Sequence, residues 1–121
     1  GSLHRNLVIW LKNYPNIIYK GLLSKKDVYI EMQKNDLLIV PTIESYGLSV
    51  FEALQNGMKV VTSPYVGIND WFSENPNLFI NQDFCISGMI DTTKQALNTA
   101  TRQVKTNIKL EESWLKILST L

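Results

Sequence analysis

Between Leu37 and Val61 the chain reads LLIVPTIESYGLSVFEALQNGMKVV, and this order of residue types leaves little choice of local fold. Leu37 to Val40 form an unbroken apolar run, the mark of a strand buried on both faces, and Pro41 closes it because proline cannot donate a ladder hydrogen bond. Residues 42–47 are mostly polar and end in Gly47, a residue that lets the backbone approach a ligand closely or take a φ that side chains disfavour. Leu48, Phe51 and Leu54, with Val50 and Ala53 beside them, recur at helical spacing, and Gly57 stands where a helix stops. Val60 and Val61 then open a second β-branched run. Strand, helix and strand within about 25 residues is close to the shortest parallel crossover unit. In open parallel sheets, ligands bind beyond the carboxyl ends of the strands, where helix N-termini point their unpaired N–H groups. Residues 42–49 occupy that place.

The rest of the chain continues the alternation. Leu3, Leu7, Trp10, Leu11 and Tyr14 predict a helix over 3–14, ended by Pro15. Ile17-Ile18-Tyr19 predicts a short strand with Gly21 at its end. Ser24 is a good N-cap, with Asp27 placed as its capping-box acid, for a helix running to about Lys34. Ile68 to Phe72 fit one helical turn, and Leu78-Phe79-Ile80 fit a short edge strand. Helical spacing resumes from about Ser87 to Val104, and again over 110–121 with Trp114, Leu115, Ile117, Leu118 and Leu121. Four strands alternating with helices predict an α/β protein, with a Rossmann-like parallel sheet and helices on both faces.

Composition narrows the class. A chain of 121 residues is large enough for one independent core. With 19% charged residues and a net charge of +1, nothing predicts a nucleic-acid partner. Cys85 is the single cysteine, so no internal disulfide forms and the residue reads as an inert thiol. No apolar run approaches membrane-spanning length and no leader pattern opens the chain, which predicts a cytoplasmic protein. Gly1-Ser2 reads as the remnant of an expression tag. No His/Cys constellation or acidic cluster suits a metal.

Glu44 in the loop and Glu52 in the helix are the candidate functional carboxylates. By spacing alone they read as one solvated loop residue and one solvated helix residue. The whole string is more specific: Pro41, Thr42, Glu44, Tyr46, Gly47, Leu48, Glu52, Ala53, Gly57, Val60 and Val61 fall in register with a known signature. It resembles that of glycosyltransferase family 4, whose members are retaining enzymes of the GT-B fold. Lys59, where that family often has proline, and Asp70, where it often has glutamate, depart from the pattern.

The resemblance implies that residues 3–121 are an N-terminally truncated, partial GT-B C-terminal domain, binding a nucleoside-diphosphate sugar for hexosyl transfer to a glycan or lipid. It implies that Glu52 holds the ribose hydroxyls and that Glu44 lies near the reacting carbon as the catalytic carboxylate. The Tyr46, Gly47 and Leu48 N–H groups would meet sugar or phosphate oxygens, Gly47 being glycine so that no Cβ holds the ligand off. Thr42 would touch phosphate, and Gly21 and Leu22 would read the base. No cofactor or metal is implied. The family's Gly-Arg-Leu-x-x-x-Lys-Gly diphosphate grip has no match here. The expected partners are the donor and an acceptor domain on the same protein, with membrane association only through that missing part and no turnover by the isolated chain. The competing class is a non-enzymatic α/β binding or receiver-like module, which would need an aspartate at a strand end where this chain has none.

Overall fold

The computed structural model describes residues 2–99. The elements run α1 (Ser2–Leu11), α2 (Lys25–Lys34), β1 (Leu37–Val40), α3 (Leu48–Gln55), β2 (Lys59–Thr62), α4 (Asn69–Phe72), β3 (Leu78–Ile80) and α5 (Ile86–Asn98). The predicted helix over 110–121 and the end of the one predicted to Val104 lie outside the described residues.

The three strands form one parallel sheet in the order β1-β2-β3. Leu38 pairs with Val60 and Val60 with Leu78. Each connection is a crossover through a helix, as parallel neighbours require. β2 is buried along its whole length, because helices cover both of its faces. Val60 packs into one apolar cluster with Val50, Phe51 and Leu54 of α3. Val61 and Ala96 of α5 are fully buried outside that cluster, so alternate β2 residues face opposite layers. The α/β, Rossmann-like class expected from the sequence is the class observed.

Local signals account for the boundaries. Ser24 caps α2, its Oγ accepting the Asp27 N–H at 3.2 Å. α3 ends at Asn56 and Gly57, the latter at φ +74°, in the left-handed region where glycine pays no Cβ penalty. α5 begins one residue earlier than the spacing suggested. Its N-cap is the exposed Cys85, whose Sγ accepts the Gly88 N–H at 3.4 Å. The thiol therefore has a capping role that the reading of an inert side chain missed.

Two expectations fail. The helix over 3–14 stops at Leu11, and residues 12–14 close it as turns through 3.2, 3.1 and 2.9 Å backbone bonds. Ile17-Ile18-Tyr19 is not a strand, so the described sheet has three strands rather than four. A run of strand-favouring residues becomes a strand only when it joins a sheet, and no described strand pairs with this one.

Lys59 explains its own departure from the resembled pattern. Its backbone N–H donates to Asp36 O at 3.2 Å, which proline would forbid. Its side chain is buried, and Nζ donates to the Ala96 carbonyl at 2.8 Å and to that of Thr99. A cation thus sits on the last carbonyls of α5, where helix ends favour positive charge.

Candidate functional site

Beyond the carboxyl ends of β1 and β2 the two strands do not part. Ser63 N–H donates to Val40 O at 2.9 Å, Glu44 N–H to Tyr65 O at 3.0 Å, Gly67 N–H to Glu44 O at 2.9 Å and Ile68 N–H to Tyr46 O at 3.0 Å. Glu44 and Val66 form an isolated parallel bridge. The loop carrying Glu44 is therefore a hydrogen-bonded extension of the sheet.

Side chains reinforce the zipper from beneath. Ser63 Oγ donates to Thr42 O at 2.6 Å and accepts the Tyr65 N–H at 3.2 Å. Asn69, from the first turn of α4, is buried; its Nδ2 donates to Ser63 O at 2.9 Å and its Oδ1 accepts from Thr62 Oγ1 at 3.0 Å. Sequence reasoning missed Ser63, Asn69 and Gly67. A Cβ on Gly67 would overlap the Ser45 carbonyl oxygen, so the two loops approach closely enough that only glycine fits. The turn-rich run Thr62 to Gly67 was the available signal, but it gave no partner for the turn.

The fold itself requires glycine at position 47. It sits at φ +82° as the N-cap of α3, and a Cβ there would lie 2.6 Å from Val66 Cγ1 and 3.3 Å from Ile68 Cγ2. Backbone strain and packing against the second loop both demand it.

This geometry leaves the start of α3 uncapped, with Gly47 itself buried. Gly47 offers no side-chain cap, and the N–H groups of Tyr46, Gly47 and Leu48 donate to no acceptor among the described residues. Such groups, with the positive end of the helix dipole, suit an anion or hydroxyl oxygens. Thr42 Oγ1 donates to Glu44 Oε1 at 3.3 Å, bringing two of the candidate side chains together. Glu52 is half-buried on α3 and, among the described residues, its carboxylate has neither an ion-pair partner nor a hydrogen-bond donor. Tyr46 and Leu48 are exposed at the helix start.

Gly21 and Leu22 stand apart from this group. Gly21 has φ +68° and Leu22 is fully exposed. No hydrogen bond or ion pair among the described residues joins either to residues 42–52. On the α5 side of β1 lies an apolar groove of about 510 Å³, lined by Ile39, Pro41, Phe84, Ile86, Met89 and Ile90 among others. Apart from Thr93 and Lys94 at its border the lining is apolar, so the N–H groups at the start of α3 are the better candidate for an anionic ligand. No group of three His, Cys, Asp or Glu among the described residues is arranged to hold a metal, and no described helix is long and apolar enough to cross a membrane.

A three-stranded parallel sheet with helices on both faces defines an α/β protein of Rossmann-like character. A family model described as glycosyl transferases group 1 matches residues 5–112, and the chain belongs to that family. No curated protein and no solved structure matches it. Membership implies a glycosyl transfer role, with a nucleotide-sugar donor and an acceptor.

Proposed function

We propose that this chain is the donor-binding part of a retaining glycosyltransferase of family 4 and GT-B fold, which moves a hexosyl unit from a nucleoside-diphosphate sugar to a glycan or lipid acceptor. What supports the reading most is the uncapped start of α3, where three N–H groups without a described acceptor lie between the carboxylates Glu44 and Glu52.

A ribose presents two adjacent hydroxyls, and a carboxylate accepts from both through charge-assisted bonds, about twice as strong as neutral ones. Glu52, with no described donor on its carboxylate, takes that role. Glu44 lies in the loop before α3 and takes the place near the transferred sugar. There its charge stabilises the oxocarbenium character that develops as the bond to phosphate breaks and the diphosphate leaves with the bonding electrons. The N–H groups of Tyr46, Gly47 and Leu48 hold sugar or phosphate oxygens, and Thr42 orients Glu44 while presenting its hydroxyl at the same edge. Gly21 and Leu22 reach the base only if ligand binding brings them to the site. The donor is held without a metal. The diphosphate grip and the acceptor domain come from a further part of the enzyme, which works in the cytoplasm, so the isolated chain binds without turning over.

The test is a titration of the chain with UDP, GDP and ADP, free and sugar-linked, followed through the amide signals of residues 42–52. One nucleotide family is expected to move these signals, in EDTA as in magnesium. Glu52→Gln should weaken that binding at least tenfold, in line with about 1.5–3 kcal/mol for hydrogen bonds to a charged group, and leave the melting temperature unchanged. If residues 42–52 stay still with every nucleotide, the reading falls.

A further inference from the structure

The donor reading uses the α3 side of the zippered loops and leaves an aromatic feature on the other side unassigned. Tyr65 and Phe84 stand on the loops that follow β2 and β3, so both lie at the carboxyl edge of the sheet. Their rings meet edge to face, with centroids 5.2 Å apart and planes at 79°. Both remain about half exposed, at 56% and 52%, although aromatic rings of this size gain most from burial.

Direction along the loop separates this pair from the donor groups. Val66 turns toward α3, lying against Gly47 and within the cluster of Val50, Phe51 and Leu54. Its neighbour Tyr65 turns toward Phe84, which borders the groove between β1 and α5. The Tyr65 backbone is held at both polar groups, its N–H by Ser63 Oγ at 3.2 Å and its carbonyl by Glu44 N–H at 3.0 Å. The ring therefore springs from the same rigid zipper that carries Glu44, on the side away from α3.

We propose that Tyr65 and Phe84 form a stacking platform for a pyranose ring of the acceptor. This rests on the glycosyl-transfer reading above: the donor's polar groups are taken up at α3, so an aromatic surface on the opposite flank of Glu44 meets the other substrate. A pyranose has one face rich in axial C–H bonds, slightly positive and apolar. It lies well on the negative face of an aromatic ring, in a contact of the same kind as an aromatic edge on a face. In this packing the edge of one ring covers one face of the other, both rings stay about half exposed, and each limits the other's rotation, so a sugar is met by a surface already in place.

Saturation-transfer NMR on the chain with methyl α-glucoside, methyl α-galactoside and methyl α-mannoside tests this. At least one probe is expected to receive saturation on its axial C–H protons, with millimolar affinity. Tyr65→Ala should reduce that affinity at least fivefold, Phe84→Ala should reduce it by a smaller factor, and Tyr65→Phe should stay within twofold of the unaltered chain. Both rings are half exposed, so the alanine variants should keep the amide spectrum of β2 and α3. Glu52→Gln should leave the glycoside signal intact while weakening nucleotide binding, which separates failure of the platform from failure of the donor site. Absence of transfer from every probe at about 50 mM, roughly fifty times a 1 mM dissociation constant, or transfer unchanged in Tyr65→Ala, overturns the proposal.

Discussion

The sheet layer and the N-terminal arm are made of similar side chains and end in opposite states. β2 is sealed on both faces, and its neighbours share a single apolar cluster that also takes in Met32 and Met58. In the arm, Leu3, Ile9 and Trp10 of α1 and then Ile17, Ile18 and Leu22 all remain exposed. Periodicity makes α1 a helix in both descriptions, but it does not supply a surface for that helix to rest on. Stability in this chain comes from layers that close on one another, and the arm has no described layer against it.

Substitutions should show this contrast as a gradient. Phe51→Ala, at a fully buried position packed 5.6 Å from the Phe72 ring, is expected to cost about 3–5 kcal/mol. Urea unfolding should register it as a lowered midpoint, and a loss below about 1 kcal/mol would mean that α3 is not the centre of the core. Gly67→Ala should follow at about 2–4 kcal/mol, since its methyl overlaps backbone rather than a side chain that can rotate away. Its effect should also appear as shifted amides from Glu44 to Gly47, because the two loops move together. Ile18→Ser, at the other extreme, is expected to change stability by less than about 0.5 kcal/mol. A large cost there would show that the arm is packed in solution and would erase the distinction.

How much of this was legible beforehand follows the same division. The unit from Leu37 to Val61 was readable because each of its signals is local: an apolar run, a proline stop, helical spacing and a glycine stop. Ser24 was readable for the same reason, a cap acting three residues away. Ile17 to Tyr19 misled because strand formation depends on a neighbour, which residue type does not reveal. The site divides likewise. Glu44, Gly47 and Glu52 lie in one contiguous string. Ser63 and Gly67 act on that string from about twenty residues downstream, and Asn69 acts through Ser63; their importance lies in contacts that no spacing rule encodes. Gly47 shows a third situation: the string marks the position, while the packing against Val66 and Ile68 and the left-handed backbone that require glycine there appear only in three dimensions.

Lys59 carries a practical consequence. Among the described residues it is the one buried lysine; the other six, Lys12, Lys20, Lys25, Lys26, Lys34 and Lys94, are exposed. An amine-reactive reagent therefore meets a ready set of targets and one sheltered behind the end of α5. The rate at which Lys59 is labelled measures how often that helix lifts from the sheet, giving the folded protein an internal clock for its own opening.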